Sequence, residues 1–530
     1  MAAPTTDARQ LPTSGPADPG DARRTPTRRL APLVLLGAAG LCVAASTSNH
    51  AVPVLAWLAP VLLLRFVRTT PRTTGLVSAG VTYALAFAVA WHAQWPVPPL
   101  LLAGLATVFF LPYVVDRLLG PRLRPGPRTL LLPFAWISVE YALVYLPLLE
   151  GSPIGAWAAV VHSQYGQLPL LQLLAVTGQW GIAFLVAWTA AVANLVWDRG
   201  VADRQARRLG AGALMLLVLV LTAGGARLAL AAAPEATVRV AGVVVENDEI
   251  LVRTWSPVRQ GMPLEHDDRE ALTDELTALH DRLFELSERE IAAGAQVVVW
   301  AEDNALVFRE EADALVGRGQ AFAAEHGIAL FMGMVVIGTG EPADNQVVGV
   351  TPDGEVAFTY LKSFPAPGEG SRAGDGRIAW MDTPWGRIGA AICFDHDFPP
   401  LIRQAGRAGL DVMVNPADDT PVIDPLHPHM AVPRAIENGF AMVRPAQGAR
   451  SIAVDALGRV LTVQEAVGPA RSFAVDLPVA GRATAYARIG DVVAHVAMAG
   501  LVLVPLAGRR RAATGNPHAT GGQWRTSKRS

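Results

Sequence analysis

Arg387-Ile-Gly-Ala-Ala-Ile-Cys393-Phe-Asp395-His-Asp-Phe-Pro399 is the stretch on which the reading of this chain turns. The apolar, β-branched run Ile388 to Ile392 predicts a buried strand, and it ends on a cysteine followed at once by polar residues. A thiol at the exit of a core strand, just before a turn, is where a rigid scaffold holds a nucleophile. Taken alone, such a cysteine is more often a small buried hydrophobe, because free cysteine is among the most buried residue types. The second cysteine, Cys42, lies far away in an apolar segment, so the two make no disulfide framework. The rest of the chain has to decide between nucleophile and core.

The chain has 530 residues, 51% hydrophobic and only 17% charged, against roughly 25% charged in soluble domains. Membrane segments are therefore sought first. A net charge of −2 argues against a nucleic-acid partner. Residues 1–29, rich in Pro, Thr, Ala and Arg, predict a disordered tail. Apolar runs follow at Leu30 to Ser46 and near 51–67, 75–92, 98–115, 129–148, 168–196 and 209–232, with one more near 491–507. Each approaches the roughly 20 residues needed to span a bilayer. A cleavable signal peptide is the alternative for the first run, since Val43-Ala-Ala45 resembles a small-residue cleavage site.

Basic residues set the orientation. The tail arginines, Arg65/Arg68/Arg72, Arg117/Arg122/Arg124/Arg128, Arg199/Arg204/Arg207/Arg208 and Arg509/Arg510/Arg511 fall on one side if the helices alternate. The connections on the other side (Thr47 to His50, His92 to Pro98, Glu150 to Gln167) contain no Lys or Arg. The positive-inside rule then places both termini in the cytoplasm and the segment from about 235 to 490 outside. Glu140 lies inside the fifth run, where an ionisable group costs several kcal/mol unless it faces protein or water. A packed Glu–Trp or Glu–backbone contact is the plain expectation for it, and lining a lipid headgroup path is the functional one.

The outer segment changes character. Val238 to Val245 reads as a buried strand, 267–293 has helical spacing of leucines, and Gln296 to Trp300 is another strand. A helix over 309–325 precedes the strand Ile328 to Val336, and strands near 345–351 and 355–361 flank the turn signal Pro352-Asp-Gly354. Strands at Ile388–Ile392, Val412–Asn415, 441–445, 451–454 and 459–463, with a helix around 427–438, complete an α/β layered domain. The chain carries no repeats, no Gly-rich phosphate loop and no CxxC or HExxH spacing. His427-Pro-His429 before a helix reads as a cap or core group rather than as metal ligands.

Trp300-Ala-Glu302, Tyr360-Leu-Lys362 and Ile392-Cys393-Phe-Asp395 each follow an apolar strand, so their side chains can converge on one rim. A cysteine needs a base to become thiolate, and Glu302 can take its proton. A tetrahedral intermediate needs positive charge or N–H donors at its oxyanion, and Lys362 and the backbone N–H of Phe394 can supply them.

This Glu–Lys–Cys order resembles the nitrilase (carbon–nitrogen hydrolase) superfamily. Together with the membrane runs, the chain resembles the apolipoprotein N-acyltransferase family over about residues 30–507. Trp136-x3-Glu140, Ser152-Pro153, Trp157, Ser163-Gln164 and Gln172-x5-Gly178-x2-Gly181-x2-Phe184 carry the resemblance into the membrane half. The family implies about eight transmembrane helices and an extracytoplasmic nitrilase-like αββα domain in the bacterial inner membrane. The corresponding boundaries are a cytoplasmic tail at 1–29, seven helices over 30–234, the hydrolase-like domain at 235–488, a last helix at 489–508 and a basic cytoplasmic tail at 509–530. The departures are Ala301 for the family's proline, Ala366-Pro367-Gly368-Glu369 for Pro-Phe-Gly-Glu, Phe394-Asp395 for Tyr-Glu, Leu143 for an arginine and Val245-Glu246-Asn247 for Gln-Gly-Asn.

The resemblance implies that Cys393 takes an acyl chain from a phospholipid as a thioester and passes it to the α-amine of a diacylglyceryl-cysteine lipoprotein. Glu302 is then base and acid, Lys362 stabilises the oxyanion, and Glu369, Phe394, Asp395 and Glu140 support or bind substrate. No metal or diffusible cofactor is implied. A membrane-tethered amidase, in which water resolves the thioester, is the alternative, and a non-catalytic membrane scaffold is another. The Gly- and Pro-rich segment Ser363 to Gly376 predicts a loop over the site.

Overall fold

The computed structural model describes residues 26–49, 51–92, 99–146, 154–247, 249–252, 266–338, 341–479 and 481–508. The tail arginines Arg23 and Arg24, the pair Ser152-Pro153 and the basic end from Arg509 lie outside the described residues.

Long helices occupy the apolar runs: Pro26–Ala44, Pro53–Thr69, Arg72–Trp91, Pro99–Leu119, Leu131–Tyr145, Gln179–Arg199, Arg204–Ala229 and Val492–Ala507. Pro26, Pro53 and Pro99 each open a helix, the position where a missing N–H costs nothing. The first helix starts at Pro26 rather than Leu30. Among the described residues, four stretches are long and apolar enough to cross a membrane: Arg72–Trp91, Leu100–Arg122, Gln179–Arg199 and Arg204–Ala229. The run expected as one element from 168 is broken. Short turns at Leu168–Leu171 and Leu174–Thr177 end at Gly178, whose φ of 62° admits no ordinary side chain. A Cβ there would come within 2.4 Å of the Tyr486 ring.

The remainder is a sandwich of two sheets between helices. In chain order the strands are β1 Thr237–Val245, β2 Val297–Trp300, β3 Ala305–Phe308, β4 Ala329–Ile337, β5 Asp344–Val350, β6 Val356–Leu361, β7 Ala379–Thr383 and β8 Gly386–Ala390. They continue with β9 Val412–Val414, β10 Ala417–Asp418, β11 Ala441–Arg444, β12 Ala446–Gln447, β13 Ser451–Val454, β14 Val460–Gln464 and β15 Ala470–Pro478. The first sheet runs β15-β1-β2-β4-β5-β6 with β3 paired to β4; the second runs β14-β13-β11-β9-β8-β7.

Period-two alternation sorts the faces. Val297, Val299, Ala329 and Phe331 fall in one cluster with Ile388, Val412 and Ala441, which share a face of the other sheet, whereas Val298, Trp300, Leu330 and Met332 pack with Leu283 and Phe284 of the helix His266–Ala292. The helices Pro399–Ala408 and Leu426–Asn438 lie with the second sheet. The layers are therefore αββα. Polar bonds tie this domain to the helices: the N–H of Gln179 donates to Glu437 Oε1 at 2.9 Å and Gln172 Nε2 to Leu457 O at 3.0 Å.

Candidate active site

Glu302 stands two residues beyond β2, Lys362 immediately after β6, and Cys393 in a short 3-10 turn, Cys393–Asp397, that follows β8. The thiol is thus not at the strand's last residue, as the run to Ile392 suggested, but at a sharp bend beyond it. Cys393 has a φ of 42°, a left-handed conformation that costs a non-glycine residue energy and persists only where the surroundings over-determine it. The 2.8 Å bond from its N–H to Pro416 O is one such constraint.

The three side chains are brought to one buried place, 2% exposed at Glu302 and Lys362 and 5% at Cys393. Lys362 Nζ donates to Glu302 Oε1 and to Glu369 Oε2, both at 2.7 Å. Asn345 spans the same two carboxylates, its Nδ2 donating to Glu302 Oε1 at 2.7 Å and to Glu369 Oε1 at 3.0 Å. The N–H of Asp418 donates to the other Glu302 oxygen at 2.7 Å. Burial disfavours a charged Lys362, but Glu302 and Glu369 outweigh it and hold its pKa well above the usual lysine range. Burial also raises the Cys393 thiol, with Glu302 and Asp419 adding to it and Lys362 and Arg444 opposing. At rest the cysteine is a thiol, and a base has to take its proton.

Phe394 places its N–H at the amino end of the 3-10 turn, where the first N–H groups lack partners within the turn. Asp395 turns away from the thiol. It accepts from Ile392 N–H at 3.1 Å, Phe364 N–H at 2.8 Å and Tyr360 Oη at 2.7 Å, and so staples the loop after Lys362 to the cysteine turn. Glu140 makes the plain contacts expected of it: Trp136 Nε1 donates to Glu140 Oε1 at 2.9 Å and the N–H of Val160 to the same oxygen at 3.0 Å. Among the described residues, neither carboxylate hydrogen-bonds to Glu302, Lys362 or Cys393.

A buried ion-pair cluster also adjoins the sulfur. Cys393 Sγ is 3.7 Å from Asp419 Oδ1 and 3.8 Å from Asp418 O. His427 is a buried group, as expected, and it bridges Asp419 Oδ1 at 2.6 Å and Asp397 Oδ2 at 3.1 Å. The donor atoms of Cys393, Asp419 and His427 lie within 4.8 Å of one another. Arg444, which donates to both Asp419 oxygens at 2.8 and 3.1 Å, already supplies the cation there. The cluster fits an ion-pair network better than a metal centre.

Comparisons with known proteins agree with this division. Residues 260–469 match the carbon-nitrogen hydrolase family and residues 39–192 the apolipoprotein N-acyltransferase N-terminal domain. The apolipoprotein N-acyltransferase of Geobacter metallireducens is 28% identical over 89% of this chain and 94% of its own length. That of Pseudomonas syringae is 28% identical over 69% of this chain and 72% of its own. Among solved structures, an amidase from Nesterenkonia sp. is 20% identical, covering 50% of this chain and 98% of that one, with a TM-score of 0.36. The class is that of a carbon–nitrogen hydrolase domain carried by a helical membrane domain. Within it, the two family matches and the similar curated proteins support a divergent member of the apolipoprotein N-acyltransferase family.

Proposed function

We propose that this protein transfers an acyl chain from a phospholipid to the N-terminal diacylglyceryl-cysteine of a lipoprotein, through a thioester on Cys393. Glu302 takes the thiol proton as sulfur attacks the ester carbonyl. The ammonium of Lys362 and the N–H of Phe394 stabilise the oxyanion. Collapse breaks the ester C–O bond, and Glu302 returns the proton to the departing lysophospholipid oxygen. The acceptor's free α-amine then attacks the thioester. Glu302 takes the amine proton, the C–S bond breaks, and the proton ends on sulfur. Glu369 and Asn345 hold Lys362 and Glu302 in register, and no step calls for a metal or diffusible cofactor.

The observation that carries this reading is Lys362 pinned 2.7 Å from each of Glu302 and Glu369, in a chain that also has the family's membrane half. The 5% exposure of Cys393 supports a transferase, which has to keep water from its thioester until the amine arrives. The proposal includes eight membrane spans, both termini in the cytoplasm of a bacterium, and residues 235–488 outside the inner membrane; the arginine distribution supports that topology. The hydrolase and scaffold readings differ in outcome. Given phospholipid alone, Cys393 should gain the mass of one fatty acyl chain, and a diacylglyceryl peptide with a free α-amine, but not an N-blocked one, should discharge it. Steady release of free fatty acid or ammonia would replace this reading with a hydrolase. No adduct on Cys393, with Cys393→Ala behaving as wild type in cells, would leave a scaffold.

A further inference from the structure

Beside the Glu302–Lys362–Glu369 set, the sulfur of Cys393 has polar contacts to Asp418 O and Asp419 Oδ1 at 3.8 and 3.7 Å, and Asp418 is the residue whose N–H also binds Glu302. Asp419 is fully buried and is one end of a chain of groups, Asp419–His427–Asp397, with bonds of 2.6 and 3.1 Å. Arg444 closes the chain with two bonds to Asp419 and a contact of 3.1 Å to His427 Nδ1. The Trp157 ring from the membrane half stacks on His427 at 5.4 Å. Two carboxylates, one guanidinium and one imidazole are thus sealed together against a thiol that the reaction has to deprotonate. That is more charge than packing needs, since buried ion pairs on balance add little stability over apolar side chains.

We propose that the Asp397–His427–Asp419 chain, anchored by Arg444, sets how readily the Cys393 thiol gives up its proton, with Asp419 the positioning residue that receives the S–H at rest. Asp419 is held ionised by Arg444 and His427, so it accepts the S–H bond but does not take the proton. The S–H is directed at Asp419 rather than at Glu302 until a substrate carbonyl and the Lys362 ammonium favour its turning toward the base. The charged groups facing the sulfur are Glu302, Asp419, Lys362 and Arg444. Those facing His427 are Asp419 and Asp397, with Arg444 in contact; the buried rings of His162 and His396 are near enough to feel its charge.

The inference rests only on Cys393 being the nucleophile. Its test reads the thiol directly, so it stands or falls apart from acyl transfer. Full-length enzyme in detergent is treated with iodoacetamide from pH 6 to 10, and carbamidomethylation of the Cys393 peptide is followed by mass spectrometry. Cys42 serves as an internal control for reagent access. Asp419→Asn removes a negative neighbour while Arg444 stays charged and His427 keeps Asp397. The alkylation midpoint should fall by about one pH unit, or about tenfold in rate at fixed pH below it. His427→Asn removes a positive neighbour, and the midpoint should rise. Shifts of opposite sign support the proposal, because general loosening would move both variants the same way. Equal-sign shifts, or none, overturn it. If Asp419→Asn does not fold, Arg444→Gln replaces it: this change removes a positive neighbour of the sulfur, so its midpoint should rise with that of His427→Asn, whereas loosening that lets water reach the buried thiol would lower it. No shift in those two variants overturns the proposal as well.

Discussion

Lys362 sits between two buried carboxylates, so removing it does more than delete an oxyanion donor. Lys362→Met should cost activity by two or more orders of magnitude, about the worth of an oxyanion group. It should also cost about 3–5 kcal/mol of stability, because Glu302 and Glu369 are left uncompensated. The double variant Lys362→Met/Glu369→Gln should recover much of the melting temperature and none of the turnover; recovery of both would mean that Lys362 is structural only. Glu302→Gln keeps size and hydrogen bonding while removing the base, so turnover should vanish in a folded protein, and retained activity would reduce Glu302 to a cap. His427 carries a pH signature. Burial pulls its pKa down, but Asp419 and Asp397 outweigh this and hold it at about 9. Raised above the ordinary value of about 6.5, it contributes stability that is complete below about pH 6.5 and is lost as pH rises through about 9. Melting temperatures should therefore decline over that window, with a flatter slope in His427→Asn. At this scale the meeting of the three side chains was legible because each follows an apolar run, and Glu369 only through its resemblance to the family's motif after the lysine. Asn345, Asp397, Asp419 and Arg444 were not. Each is an isolated polar residue whose meaning comes from partners on other elements, and only the fold brings them together.

Elements were legible wherever the apolar period was strong. β1, β4 and the helix His266–Ala292 each start or end within about a residue of the expected limits. β15 was passed over although its burial alternates residue by residue from Ala470 to Pro478, because Arg471, Ser472 and Asp476 dilute the hydrophobic signal. It nonetheless pairs along the whole of β1. The loop over Ser363 to Gly376 is irregular as its Gly and Pro content requires, with Gly368, Gly370 and Gly376 at positive φ. It is not free, however. Glu369 binds Lys362, Asn345, Ser371 and the N–H of Ala366, and the N–H of Gly374 donates to Lys362 O at 2.8 Å. One buried side chain therefore pins an exposed loop. Trypsin in detergent should cut first after Arg377, which is exposed, rather than after Arg372, which is held by Asp344 at 2.9 and 2.7 Å. Glu369→Gln should speed cleavage across the loop severalfold, since opening costs fewer charge-assisted bonds. An unchanged rate would mean that Glu369 does not hold the loop.

For the whole molecule, the distribution of arginines predicts the sidedness, and the structure adds what sequence periodicity cannot: how the two halves are joined. Arg434 and Glu437, both fully buried, reach from the helix Leu426–Asn438 to the amino end of the helix Gln179–Arg199. A carboxylate accepting a helix's first N–H is favoured by the local dipole as well as by the bond itself. The same helix carries His427, so the site and the membrane half share one rigid element. This joint fixes which end of the bundle the hydrolase-like domain sits on. If the arginine-rich connections face the cytoplasm, the domain that meets the opposite helix end is extracytoplasmic. Alkaline phosphatase fused after about residue 300 should then be active, and fused after Arg204 it should be inactive. Replacing Arg204, Arg207 and Arg208 with glutamine should weaken that contrast, because the sidedness rests on basic residues near the helix ends rather than on net charge. Activity at the Arg204 fusion and none after residue 300 would overturn the orientation, and with it an acyltransferase acting on lipoproteins outside the inner membrane.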